Sequence, residues 1–382
     1  MQKSTEQSFI DAIRRDEHVV ETAIEIQQIP APTFDEQRRS DLVRRRFEAL
    51  ELDGVEQDAL GNVYACRPGL HGRPGVLLAA HLDTVFPQGT DLTVRREGSR
   101  VFGPGIGDNS LGLAALVHLA AACQLADLPN TADIWFVADV GEEGLGNLRG
   151  MRAAVDKLAG RYTSVVAIEG SGFGRVYHRA IGVKRLRVAA HTAGGHSWAD
   201  YGAPSAVHTL VKSASAIVDL PLPSQPRTTL NIGVITGGTS VNTIAEEAHF
   251  LLDLRSEQQS ELDQVVARVG AALAALPAGG AALTVDEVGS REAGDIDIHH
   301  PLPRAAAAAL EAVGADVVWG SGSTDANVPL GRGIPAVCIG ITDGSNAHRL
   351  DEYIDTGNVG RGMEALARLV WQLVGHDSAS VC

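Results

Sequence analysis

In the stretch Val76-Leu77-Leu78-Ala79-Ala80-His81-Leu82-Asp83-Thr84-Val85-Phe86-Pro87, an apolar run leads straight into a histidine, and a carboxylate follows two positions later. A short continuous apolar run bounded by turn residues predicts a strand buried on both faces, as in the parallel sheet of an α/β protein. In such sheets ligands collect beyond the carboxyl ends of strands. His81 falls at that end. Asp83 is placed to accept its second ring proton and fix the tautomer, as partners of metal-bound histidines do. A lone strand-end histidine is more often structural, so its weight depends on what ends the other strands.

Upstream, Phe9, Ile10, Ile13, Val19, Val20, Ala23 and Ile24 recur at roughly helical spacing over 6–28, and Pro30 and Pro32 close that segment. A second helix rich in Arg and Glu covers 36–50, and residues 62–65 read as a short strand. Downstream, the glycine-rich loop Gly103-Pro104-Gly105-Ile106-Gly107-Asp108-Asn109 leads into a helix over 111–125. Apolar runs at 133–140 and 164–168 end at Gly141-Glu142-Glu143-Gly144 and Glu169-Gly170. This alternation predicts a mixed, largely parallel α/β sheet flanked by helices.

The character changes at residue 183. A loosely alternating strand over 183–192 is followed by a helix over 204–220, strands at 228–235 and 248–254, a helix over 259–275 and a strand near 281–287. That β-α-β-β-α-β order is a split βαβ, ferredoxin-like α+β unit of about 105 residues. The first style then resumes, with a helix over 304–313, a short strand at 317–319, the loop 320–327, a strand over 336–341 and a terminal helix over 358–374. The expected organisation is a catalytic domain in two parts, 1–182 and 291–382, with a domain of 183–290 inserted between them.

The chain has 382 residues, 45% of them apolar, enough for sizeable cores, and no stretch reads as a membrane span. Lys plus Arg is 32 and Asp plus Glu is 47, a net charge of −15, which argues against nucleic acid and anionic membranes as partners. Cys66, Cys123, Cys338 and Cys382 show no paired spacing and read as free thiols in a reducing compartment. The N-terminus lacks a basic segment followed by an apolar core. The expected location is the cytoplasm.

Residues just past strand ends or in rigid loops carry the chemistry: His81, Asp108, Glu142, Glu143, Glu169 and His348. Two imidazoles and three carboxylates, one of them shared, suit two zinc-like ions. A bridging carboxylate would hold such ions about 3.5–4 Å apart. Neighbouring Glu142 and Glu143 cannot share one role, so one faces a metal and the other is left to act on water as general base. Asp108 could equally cap the following helix.

As a set, His81-Leu82-Asp83-Thr84-Val85, Gly103-Pro104-Gly105-Ile106-Gly107-Asp108, Gly141-Glu142-Glu143-Gly144 and Ala347-His348 resemble the M20 metallopeptidase family, which includes glutamate carboxypeptidase, aminoacylase and peptidase T. The resemblance covers nearly the whole chain. It implies a zinc-peptidase-like catalytic domain with two divalent ions, zinc first and cobalt or manganese as substitutes. His81, Glu169 and bridging Asp108 would hold one ion. Glu143, His348 and the same Asp108 would hold the other, with Asp83 orienting His81 and Glu142 as the acid/base. The 183–290 unit resembles the family's lid, or dimerisation, domain, which implies a homodimer. There His196 matches a histidine that steadies the carbonyl oxygen in the transition state, often across the dimer interface. Asn242 and Arg255 match substrate-contacting positions, Arg255 as a fork for a free carboxylate unless it pairs with a neighbouring acid. Asp325, in a glycine-rich loop with a family counterpart, either lines the site or is structural. The other histidines read as structural or exposed.

The resemblance implies hydrolysis of an amide or peptide bond in a small peptide or N-acyl amino acid. Glu rather than Asp at position 169 favours a carboxypeptidase or N-acyl-amino-acid amidohydrolase, with a di- or tripeptide aminopeptidase second. Asn109 stands where many relatives have a second Asp, which lowers the charge beside the bridging position. A non-catalytic metal- or peptide-binding protein would have lost a ligand or the base, and none is substituted here.

Overall fold

The computed structural model describes residues 5–14, 18–276 and 280–374. Cys382, His376 and the segment Met1-Gln2-Lys3-Ser4 lie outside them. The chain divides into two compact units, one running to Ala180 and resuming at Asp295, the other spanning Ile181–Gly294.

The main sheet of the larger unit is built from β1 (Asp53–Gln57), β2 (Val63–Arg67), β3 (Arg73–His81), β4 (Ala132–Asp139), β5 (Tyr162–Ser171), β6 (Arg175–Ala180), β7 (Val318–Gly322) and β8 (Ala336–Thr342). Its order is β1-β2-β4-β3-β5-β8-β6, with β7 also paired to β6. The central β4, β3, β5 and β8 are parallel to one another. β1 and β2 lie antiparallel at one side, and β6 pairs antiparallel with β8 at the other.

β3 shows why its apolar run does not alternate. Val76, Leu78 and Ala80 point into one core and Leu77 and Ala79 into another, so both faces are covered. Fully burying each Val or Leu contributes about 1.5–3 kcal/mol. Helices Thr5–Arg14, Val19–Gln27, Leu111–Leu125, Pro301–Ala312 and Val359–Val374 fill the first side, and Arg149–Lys157 helps fill the second.

Two expectations are corrected, and one sheet was not expected. The helix expected over 6–28 is two helices, consistent with the polar run Arg15-Asp16-Glu17 that interrupts its apolar period. Ile106–Leu125 does reach the length and hydropathy of a membrane span, but 83% of the window is buried, which makes it a core helix. A small sheet joins Arg95–Glu97, Arg100–Phe102, Tyr353–Asp355 and Gly344–Ser345, strands too short and polar to show in the sequence. It sets the glycine-rich loop beside the His348 loop.

The inserted unit is a four-stranded antiparallel sheet, Thr228–Gly237, Glu247–Ser256, Gly182–His191 and Ala282–Arg291 in spatial order. Ala248, Phe250, Leu252 and Leu254 alternate inward against helices Ala206–Val218 and Gln259–Ala274. The other face carries Glu247, His249, Asp253 and Arg255, with Leu251 paired to Val234 among them.

Candidate metal centre

Parallel strands bring their carboxyl ends to one edge, and three site segments start there. β3 ends in His81, whose register partner on β4 is Asp139. β4 runs on to Glu142 and Glu143, and β5 carries Glu169 near its end. His81 Nε2 lies 3.2 Å from Asp108 Oδ1 and 3.8 Å from Glu169 Oε2. The other carboxylate oxygen of Asp108 is 3.1 Å from His348 Nε2, which is also 3.1 Å from Glu143 Oε1. His81, Asp108 and Glu169 therefore offer ligand atoms within 4.8 Å of one another, and so do Asp108, Glu143 and His348. Asp108 belongs to both groups. Its side chain faces two histidines rather than capping the helix, which begins behind Ser110.

Nitrogen and carboxylate oxygen in these proportions fit zinc, cobalt or manganese. The charge balance fits as well. Burial, then the charge of Asp108, pushes Glu143 up to about 7, and burial pushes Glu169 up to about 7. Hydrogen bonds to Asp108 and then Glu143 raise His348 to about 10. Protons thus occupy places that cations would neutralise. Between the ordinary values of 4.5 and 6.5 and these raised ones, the folded metal-free protein binds more protons than the unfolded chain. Its stability therefore falls as pH rises. Burial alone would raise Asp108, but His348 and His81 hold it below the carboxylate range, so its opposing contribution is felt only in acid. Ion binding needs deprotonated ligands. Thermal unfolding of metal-free protein should show Tm falling from about pH 5 to about pH 9, with a zinc-induced rise that grows with pH. A metal-free Tm that climbs over that range contradicts this balance.

The pattern of peptidase family M20/M25/M40 matches residues 77–372. The chain belongs to that family. It is an enzyme of the M20 metallopeptidase and amidohydrolase group, whose members generally use divalent metals. A putative succinyl-diaminopimelate desuccinylase of Mycobacterium tuberculosis is 27% identical over 364 residues, covering 91% of this chain and 97% of that protein. A probable carboxypeptidase of Aspergillus clavatus is 29% identical over 265 residues, 63% of this chain and 58% of that one. Aminopeptidase PepT from Bacillus cereus has a TM-score of 0.74 at 23% identity, over 94% and 98% of the two chains, a likeness of fold.

In this M20 chain the ligand groups are held by contacts that were not read from the sequence. Asp83 was expected to take the His81 ring proton on its carboxylate. His81 Nδ1 meets the main-chain oxygen of Asp83 at 3.1 Å and its nearest carboxylate oxygen at 3.6 Å. The fully buried carboxylate accepts the backbone N–H groups of Glu142 and Glu143, each at 3.0 Å, and the Thr33 hydroxyl at 2.8 Å. Asp83 thus fixes the Glu142–Glu143 loop as well as the histidine. Behind it, fully buried Arg39 donates to the carbonyls of Ile29 at 2.8 Å and Leu82 at 3.0 Å, pinning the peptide between His81 and Asp83. Burial pushes Arg39 down to about 10. Asp325 is buried beside Asp139, and burial followed by the Asp139 charge pushes it well above the carboxylate range.

Asn109 fills its place for a reason specific to an amide. Its Nδ2 donates to the Ile168 carbonyl at 2.8 Å and its Oδ1 accepts from Gly170 N–H at 2.9 Å, bracketing Glu169. A carboxylate could accept but not donate. Asn109→Asp should destabilise the protein by about 1–3 kcal/mol in chemical denaturation near neutral pH, with a smaller loss in acid as the new carboxyl protonates. Wild-type stability at every pH would contradict this.

Three expected residues lie in the inserted unit. His196 and Asn242 are neighbours, since Gly195–His196 pairs with Thr243–Ile244 and Ser197 N–H donates to the Asn242 carbonyl at 3.0 Å. His196 Nδ1 accepts from the N–H groups of Trp198 and Ala199, each at 3.2 Å. Neutral His196 therefore carries its proton on Nε2, as a hydrogen-bond donor. Arg255 donates to Asp253, from Nε at 2.7 Å and from its terminal nitrogen at 3.4 Å, which is the competing pairing with a neighbouring acid.

Proposed function

We propose that the chain hydrolyses an amide or peptide bond in a small substrate, as a carboxypeptidase-like or N-acyl-amino-acid amidohydrolase. The observation that carries this is the pair of ligand groups sharing Asp108, with Glu142 on the residue beside one of their ligands. His81, Asp108 and Glu169 would hold one ion, and Asp108, Glu143 and His348 the other. Divalent ions held there supply Lewis acidity and lower the pKa of water to about 7. Glu142 takes the proton of the attacking water and returns it to the leaving nitrogen. Asp83 keeps Glu142 in place through its backbone N–H. The Nε2–H of His196 donates to the carbonyl oxygen as charge develops there.

Glu169 and the curated relatives, named for a desuccinylase and a carboxypeptidase, favour acyl or carboxyl-terminal substrates. The second proposal is a di- or tripeptide aminopeptidase. It gains from Arg255, because a substrate carboxylate there would have to displace Asp253. Asn242 is proposed to contact substrate beside His196. The 183–290 region is proposed as the lid and dimerisation domain. Exposed Trp198, Tyr201 and Val241, close in sequence to His196 and Asn242, support a partner surface there. The buried thiols of Cys66, Cys123 and Cys338 support a reducing compartment, proposed as the cytoplasm.

Turnover of a panel of N-acyl amino acids, dipeptides and tripeptides by metal-free protein reloaded with zinc, cobalt or manganese tests the substrate class. Preference for tripeptides with a free amine would overturn the first proposal in favour of the second. Mixing His196→Ala with Glu142→Ala subunits should restore activity if His196 acts across a dimer, and no recovery would oppose that.

A further inference from the structure

Glu352 has no part in the chemistry above, yet it is 2% exposed and its carboxylate reaches three backbone donors of the glycine-rich loop. Its Oε1 accepts from Gly107 N–H at 2.7 Å and Asp108 N–H at 2.9 Å, and its Oε2 accepts from Gly105 N–H at 2.9 Å. Closely spaced N–H groups that converge in this way form a nest for an anion. The loop is shaped for the contact. Gly105 has φ +73°, and a Cβ on Gly107 would come within 3.2 Å of Glu352 Oε1 and 3.1 Å of Ile354. The Glu352 main chain is itself fixed, since its carbonyl accepts Gly103 N–H at 2.9 Å and its N–H donates to the Arg349 carbonyl at 3.1 Å. The next residue, Tyr353, pairs with Phe102 in the small sheet.

His348 lies four residues before Glu352, at φ +67°, with its side chain 55% exposed. Unlike His81 and Glu169, which sit on the buried parallel strands β3 and β5, it has no strand of the main sheet beneath it. We infer that Glu352 is a positioning residue that fastens the loop bearing Asp108 to the segment bearing His348, and so assembles the Asp108–Glu143–His348 ion site in particular. The same bonds are less needed by the other group, where His81 and Glu169 are aligned by their strands. The inference rests on the proposed two-ion centre.

Its test is zinc titration of the full chain by calorimetry, with metal content after dialysis, on wild type, Glu352→Gln and Glu352→Asp, each checked by circular dichroism and Tm. Glutamine loses one acceptor oxygen, and aspartate is too short to reach all three N–H groups. Wild type should bind two zinc ions. Both variants should keep one ion at wild-type affinity and bind the second about 10–100-fold more weakly, the usual cost of losing a partner outside the ligand shell. A role in stability alone would lower Tm without separating the ions. Two ions at unchanged affinity in the variants, or equal weakening of both, would overturn the inference while leaving the two-ion centre standing. Fewer than two ions on wild type would overturn both.

Discussion

Glu142→Gln should bind the same two ions as wild type and turn substrate over about 100–10,000-fold more slowly, the range that positioned proton transfer supplies. The two glutamates are consecutive, buried and held by the same Asp83 carboxylate, one oxygen to each N–H. Glu143 reaches His348, at 3.1 Å, and belongs to one of the ligand groups. The proposed division gives Glu143 to the ligand group and Glu142 to proton transfer. Gln keeps the shape and the backbone contact and removes only the basic oxygen, so KM should change little. Glu143→Gln should behave differently, with reduced metal content before any effect on chemistry. Substantial turnover by Glu142→Gln, or loss of its ions, would refute this division of roles.

Asp108→Ala should abolish turnover and empty both ion sites, a loss well beyond the about 10–100-fold change expected for a partner outside the ligand shell. No other residue belongs to both ligand groups. Removing its carboxylate also strips His81 and His348 of the acceptor at 3.2 and 3.1 Å that each shares. Glu169→Ala and His348→Ala, each confined to one group, should leave one ion bound. The contrast is read by metal content after dialysis, independent of activity. Retention of one tight ion by Asp108→Ala would show that the groups do not share it.

The buried strands were legible in the sequence because a run such as Val76–Ala80 has no polar alternative on either face, and His81, Glu142, Glu143 and Glu169 stood out because they fall where such runs stop. The inserted unit was expected from the change of style at residue 183, where a loosely alternating strand begins, and Glu247–Ser256 alternates in burial in the structure. What could not be read is set by contacts between distant segments. Glu352 binds N–H groups some 245 positions away, and backbone donors leave no mark on residue identity. Arg39 looks like one more charge on an Arg-rich helix, yet it is the one turned fully inward. Asp83 was placed correctly beside His81, but its carboxylate is directed to a loop 59 residues on. Asn109 read as a lost charge because its two partners, Ile168 and Gly170, are met only once β5 lies alongside.

A pair of ions sharing Asp108 is tested directly by anomalous diffraction at the zinc edge from crystals of reconstituted protein. Two peaks about 3.5–4 Å apart are expected. One should lie among His81, Asp108 and Glu169, and the other among Asp108, Glu143 and His348. A single peak, or a pair with no contact to Asp108, would contradict it.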